Sequence, residues 1–151
     1  MQNNNIKINP QYLAGFFDGE GSMWIQIRYR ASYALKFGIY YALSFSQNNL
    51  SFNRWLKTQL NDFGGTPTAR VLRVTDVNQV FALLDYFGPH LVIKTGQRDL
   101  MYEIRELHKV MNTPEDLLRI AQLADAISAL NYHSNHIPGS YSLKVKEFHN
   151  L

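Results

Sequence analysis

The chain of 151 residues contains no cysteine. That excludes a disulfide scaffold, a thiolate metal site and a cysteine nucleophile, and it is compatible with a reducing compartment. No apolar run approaches the roughly 18 residues that a membrane span needs, and the polar stretch Met1–Pro10 does not read as a signal peptide. A soluble protein without a membrane partner is expected. Charge is scarce too: charged residues make up 18% of the chain against 46% apolar. With no low-complexity or repetitive segment, this composition argues for a folded globule rather than disorder. A chain of this size buries roughly 68–70% of its unfolded surface, which suits a single domain over 1–151 better than two.

The most informative shortage is of acid in the first half. The net charge of +3 is mild, but it is unevenly distributed. Residues 22–73 hold Arg28, Arg30, Lys36, Arg54, Lys57, Arg70 and Arg73 against Asp62 alone, a net +6. Residues 1–21 carry a net −1 and residues 74–151 a net −2. Such asymmetry suggests a surface that faces a polyanion, although a merely basic solvated surface would give the same count.

Asn9-Pro10 reads as an N-cap and first helical residue, because the cap accepts an orphan amide and proline has none to donate. Leu13, Phe16 and Phe17 follow at helical spacing, and Gly19-Glu20-Gly21-Ser22 closes the helix. The period then changes to two. Met23, Ile25, Ile27 and Tyr29 face one way and Ser22, Trp24, Gln26, Arg28 and Arg30 the other, as a half-buried strand requires. After a short loop, Phe37, Ile39, Tyr41, Leu43 and Phe45 alternate with Lys36, Gly38, Tyr40, Ala42, Ser44 and Ser46, so the two strands form an antiparallel hairpin with its odd residues inward.

Phe52, Trp55, Leu56, Leu60 and Phe63 predict a helix closed by Gly64-Gly65. A strand pair interrupted by a turn or bulge is expected from Thr66 to Thr75, since Pro67 breaks its start and Arg70 and Arg73 cannot share one side of a simple strand. Asp76 with Gln79 resembles a capping box for a helix with a Val77, Val80, Phe81 and Leu84 stripe, ended by Gly88-Pro89. Further helices are expected from Gln97 through Met111 and from Thr113-Pro114-Glu115-Asp116 onward, the latter turning Leu117, Ala121, Ala124, Ile127 and Leu130 inward. From Asn131 the pattern is weak, with a turn at Pro138-Gly139 and a final stretch holding Lys144, Lys146 and Phe148. Hairpin strands covered by helices on one face make an α+β antiparallel architecture.

The outer face of the hairpin carries Trp24, Gln26, Arg28, Arg30, Lys36, Tyr40, Ser44 and Ser46, with no carboxylate among them. A solvated face ordinarily mixes both signs. A twisted two-stranded ribbon is narrow enough for the DNA major groove, where arginine pairs with guanine and glutamine with adenine.

Chemistry centres on Asp18-Gly19-Glu20-Gly21. Acidic, glycine-rich segments are often plain turns. Two features count against that here: carboxylates at a helix C-terminus oppose the macrodipole, and Gly15 and Gly19 leave a bare stripe on which a second helix could pack closely. Two such helices would bring two Glu20 carboxylates together as a site for a hard cation such as Mg²⁺.

Leu13-Ala14-Gly15-Phe16-Phe17-Asp18-Gly19-Glu20-Gly21 closely resembles the motif of the LAGLIDADG homing endonucleases. The resemblance extends through an α-β-β-α-β-β-α order over about residues 8–131, leaving 132–151 as a C-terminal loop and tail. It implies an antiparallel sheet forming a DNA-binding saddle with helices on its other face. One motif copy implies a homodimer, with Leu13, Gly15, Phe16, Asp18 and Gly19 at the dimer interface, acting on a roughly palindromic double-stranded DNA site.

The resemblance assigns Glu20 to metal coordination, with the carbonyl of Gly19 as companion ligand, and Asp18 to a structural cap. Many relatives have aspartate where this chain has Glu20, a change compatible with cleavage. It gives Gln47 the ordering of water near the scissile phosphate and Lys94, in Leu91-Val92-Ile93-Lys94, the stabilisation of charge there. DNA contacts are expected from Ser22, Trp24, Gln26, Arg28, Arg30, Ser32, Lys36, Tyr40, Ser44, Ser46, Arg70 and Arg73.

The implied activity is hydrolysis of both DNA strands with Mg²⁺, for which Mn²⁺ substitutes, and with no small-molecule cofactor. Short 3′ overhangs are left, in whichever compartment holds an intron-bearing genome. An intron RNA maturase or a non-cleaving DNA binder on the same fold remains the alternative. His108 stands alone, and His133, His136 and His149 in or near the tail lack paired zinc-ligand spacing.

Overall fold

Asn9 starts the first helix as its neighbours require. Its side-chain oxygen accepts from the amides of Gln11 at 2.9 Å and Tyr12 at 3.1 Å, and helix α1 runs Pro10–Glu20. The computed structural model describes residues 6–60, 63, 70–131 and 135–151. Strands β1 (Gly21–Tyr29) and β2 (Phe37–Ser46), helix α2 (Leu50–Leu60), strand β3 (Val71–Val74) and helix α3 (Val77–Phe87) follow. After a 3₁₀ turn at Gly88–His90 come helices α4 (Thr95–Val110), α5 (Pro114–Leu130) and α6 (Ser140–His149). The strands form one sheet in the order β1-β2-β3, and β2 pairs antiparallel with β3 so that Leu43 lies opposite Val74 and Ser46 opposite Val71.

Two compact units emerge, one from residues up to Met23 together with Tyr41–Thr95, the other from Trp24–Tyr40 together with Gly96–Leu151. In the first, Phe17 is fully buried, with its ring centroid 5.3 Å from Phe45 and 4.9 Å from Phe87. Truncating such a ring to alanine costs about 3–5 kcal/mol. A Cβ at position 21 would overlap this same Phe17 ring, so glycine there lets the chain pass from α1 directly into β1. Leu56, Leu60, Leu72, Val80, Phe81 and Leu84 complete this core.

The second unit buries Ile25, Ile27, Met101, Ile104, Leu117, Ile120, Ala121, Ala124 and Ile127. Thr113 and Asp116 form a reciprocal capping box at the start of α5. Helix α6 lies where the sequence pattern suggested only a turn and tail. Its N-cap, Gly139, has no side chain, and the amides of Tyr141 and Ser142 are instead met by the Asp125 carboxylate at 3.1 and 3.0 Å. His136 donates to the same carboxylate at 2.8 Å and stacks on Tyr141. Val145 is fully buried, and Phe148 sits with its ring centroid 5.6 Å from both Tyr29 and Phe37.

Several expectations need correction. Tyr29 and Leu130 are exposed rather than inward, because each is the last residue of its element. Trp55 and Val77 are also exposed, whereas Asn53 occupies the inward stripe with Leu56 and Leu60. Of the strand pair expected over 66–75, the described residues contain β3 alone, and Pro67 and the Gly64-Gly65 stop lie outside the described residues, as does His133. No helix among the described residues is long and apolar enough to cross a membrane.

Candidate functional site

At the end of α1, Asp18 is buried and its carboxylate is committed to the backbone. It accepts the amide of Val92 at 2.8 Å and that of Lys94 at 3.0 Å, while the Lys94 ammonium donates to the main-chain oxygen of Asp18 at 2.6 Å. Three hydrogen bonds thus join segment 92–94 to the helix end and fix a cation where the macrodipole is negative. Gly19 and Glu20, next along the chain, are exposed.

The outer side of α1 shows Tyr12, Gly15 and Gly19 exposed and Phe16 half-buried. A Cβ at either glycine would meet nothing within 4 Å. Leu13, expected on this face, is instead fully buried in the chain's own core. Phe16, Phe52, Trp55 and Tyr12 form a continuous aromatic run, with successive centroid distances of 4.9, 5.4 and 6.4 Å.

Gln47 follows β2 directly and is held by its backbone. Its amide donates to the carbonyl of Arg70 at 2.9 Å, and its carbonyl accepts from Asn53 Nδ2 at 2.8 Å. Its side-chain oxygen accepts the Asn49 amide at 3.4 Å, and Asn49 caps α2 through the Phe52 amide. The apolar pattern of α2 does not mark Asn53, although it is buried. The available signal was an asparagine at helical spacing from Leu56 and Leu60.

On the hairpin, Ser22, Trp24, Gln26 and Tyr40 are half-buried and Arg28, Arg30 and Ser32 exposed. Arg28 donates to the side-chain oxygen of Gln26, and Arg30 Nε donates to the Tyr40 hydroxyl at 2.8 Å. That donated bond holds the Tyr40 phenol below its ordinary pKa. Lys36 lies in the turn rather than on the strand face. Its backbone has φ 68°, and its ammonium donates to the Ala31 carbonyl at 2.9 Å. Ser44 is buried because β2 is the central strand, with Arg73 opposite it on β3; Ser46 is half-buried, and Arg70 and Arg73 are exposed. Among the described residues, the hydrogen bonds of Gln47 run to Arg70, Asn49 and Asn53 rather than to the Asp18–Lys94 cluster.

The oxygen donors at the end of α1, the Glu20 carboxylate and a helix-terminal carbonyl, are of the hard type that Mg²⁺ prefers. Their number is short of a full shell. No group of three or more His, Cys, Asp or Glu side chains that could hold a metal occurs among the described residues. One copy of the chain therefore fits such an ion in donor type and leaves coordination positions for other groups.

No protein-family model matches the chain. It is 31% identical over 137 residues to the DNA endonuclease I-CreI of Chlamydomonas reinhardtii, which covers 84% of this chain and 83% of that protein. Its fold is similar to that of the homing endonuclease I-CvuI in complex with the I-CreI target in the presence of magnesium, with a TM-score of 0.78, 21% identity and coverage of 94% of each chain. It is also similar to the I-SmaMI LAGLIDADG homing endonuclease bound to cleaved DNA, with a TM-score of 0.72 and 21% identity, covering 95% of this chain and 49% of that one.

Proposed function

Because the chain belongs to the LAGLIDADG homing endonuclease family, we propose that it cuts double-stranded DNA sequence-specifically, as a homodimer on a long, roughly palindromic site, leaving short 3′ overhangs. The observation that carries this reading is the end of α1, where a lysine ammonium bound to the carbonyl of Asp18 stands beside the exposed Gly19 and Glu20.

The bare, exposed Gly15–Gly19 stripe with Tyr12 and Phe16 supports close packing of two α1 helices. Coverage of only 49% of I-SmaMI by this chain agrees with two copies making one enzyme. Two-fold symmetry brings the two Glu20 residues together and sets the two hairpins on inverted half-sites.

Glu20 and the Gly19 carbonyl would hold Mg²⁺, or Mn²⁺ in its place. The bound cation supplies activation of water and stabilisation of the leaving oxygen. Lys94 sets a fixed positive charge beside the scissile phosphate, where negative charge grows in the transition state. Gln47, steadied by Arg70 and Asn53, orients the attacking water. No residue forms a covalent intermediate. Ser22, Trp24, Gln26, Arg28, Arg30, Ser32, Tyr40, Ser46, Arg70 and Arg73 supply base and phosphate contacts.

The test is nicking of a plasmid library by the parent and by Glu20→Gln, with Mg²⁺ and with EDTA. Site-specific cuts by the parent with Mg²⁺ alone, and binding without cutting by Glu20→Gln, are expected. A fully active Glu20→Gln protein would overturn the assignment.

A further inference from the structure

We propose that Tyr40 makes the outer face of the hairpin a guanine reader: it holds Arg28 and Arg30 as one pre-set pair, and Arg28 in turn competes for the Gln26 oxygen that recognition of adenine would use. This inference rests on the reading of the hairpin as the DNA-recognition surface and names the bases that surface selects.

The Tyr40 ring is shared by both arginines. The guanidinium carbon of Arg28 lies 5.0 Å from the ring centroid and that of Arg30 lies 5.6 Å from it. Arg30 also donates its Nε to the Tyr40 hydroxyl at 2.8 Å. Stacking on an aromatic face and a bond at Nε fix the guanidinium plane while leaving its two terminal nitrogens as a donor fork. The ring is itself seated. Gly38 lies two residues earlier on the same face of β2, and a Cβ there would overlap the phenol end of Tyr40. Tyr33 hydrogen-bonds to the same phenol from the turn.

Gln26 has a different fate from the one its residue type suggests. A glutamine reads adenine bidentately, its oxygen accepting from N6 and its nitrogen donating to N7. Here one lone pair of the oxygen already accepts from Arg28, so the amide keeps both its donor hydrogens and only half its acceptor capacity. The Tyr40 oxygen is likewise engaged by Arg30. Gln26, Arg28 and Arg30 therefore present a surplus of hydrogen-bond donors, and guanine is the base whose major-groove edge offers two acceptors, N7 and O6, without a donor. Strand residues two apart are separated by about 6.6 Å, about two base-pair steps of 3.4 Å. Arg28 and Arg30 on a strand that follows the groove thus address guanines about two positions apart.

The experiment is selection of randomised duplex DNA by binding in EDTA, using the full chain, Tyr40→Phe, Gly38→Ala and Arg30→Ala. The parent is expected to enrich guanine at two positions about two apart in each half-site, with Arg30→Ala identifying which position Arg30 reads. Tyr40→Phe, which keeps the ring and loses the hydroxyl, is expected to lower the preference at the Arg30 position about fivefold. Gly38→Ala removes no charge and no hydrogen-bonding group, and it is expected to weaken both positions by displacing the ring. Selection of adenine or of no base at these positions, or retention of the parental preference by both Tyr40→Phe and Gly38→Ala, would overturn the inference. Failure of the parent to enrich any sequence would instead overturn the endonuclease reading on which it rests.

Discussion

The ammonium of Lys94 donates to the main-chain oxygen of Asp18 at 2.6 Å across 76 positions of sequence, and the Asp18 carboxylate accepts the Lys94 amide in return. The lysine is thereby held by Asp18 at both ends, its amide by the carboxylate and its ammonium by the main-chain carbonyl. A flexible stem that ordinarily samples many rotamers instead delivers its charge to one place beside Gly19 and Glu20.

Lys94→Met is expected to lower single-turnover cleavage about 10²–10³-fold, the usual loss when one fixed electrostatic group is removed from a developing charge. Affinity for the target should change little. Asp18→Asn acts on stability instead, because an amide nitrogen would face one of the two backbone N–H donors. Urea unfolding should show a loss of about 1–3 kcal/mol.

Replacing Arg28 and Arg30 with alanine takes four cations of the homodimer out of the DNA grooves, where their charge displaces counterions while their forks meet guanine, and is expected to flatten the dependence of DNA affinity on salt, the log–log slope falling by up to about 3.6. Arg119→Ala should leave the slope unchanged, since Arg119 pairs with Glu103 at 3.5 Å on the α4–α5 surface. Titrations at several salt concentrations check both.

Asp125→Ala removes the acceptor for the Tyr141 and Ser142 amides, the Ser142 hydroxyl and His136. A stability loss of about 2–3 kcal/mol is expected. Hydrogen exchange should locate it, with α6 amides losing protection and α3 amides keeping theirs.

Burial pushes the His108 imidazole below its ordinary value of 6.5. The folded state therefore binds fewer protons there than the unfolded one. The associated stability is fully present above pH 6.5 and falls as pH drops towards the lowered folded value. Denaturation at pH 7.5 and 5.5 should show a smaller acid loss for His108→Gln than for the parent.

Much of this molecule was legible locally. Asn9-Pro10, Asp76 and Thr113-Pro114 announce the starts of α1, α3 and α5, because a cap acts through amides two or three residues away. Alternation marks Met23, Ile25 and Ile27 as core for the same short-range reason. Helix α6 was hidden because its capping carboxylate comes from Asp125 on α5 and its own N-cap is glycine. The motif at 13–21 pointed to Glu20, and the family resemblance it carries implied roles for Lys94 and Gln47, but nothing local indicated that Asp18 grips Lys94 or that Asn53 steadies Gln47.

The sequence by itself determined the family, the order of its main elements and the absence of acid from the ribbon, since these depend on residue type and near-neighbour spacing. Tertiary structure alone decided that Leu13 and Ser44 are buried, that Lys36 closes the turn, that Arg28 occupies the Gln26 oxygen and that Lys94 meets Asp18. These outcomes depend on which groups packing brings within hydrogen-bond reach, and residues 76 positions apart meet only once the chain between them has folded.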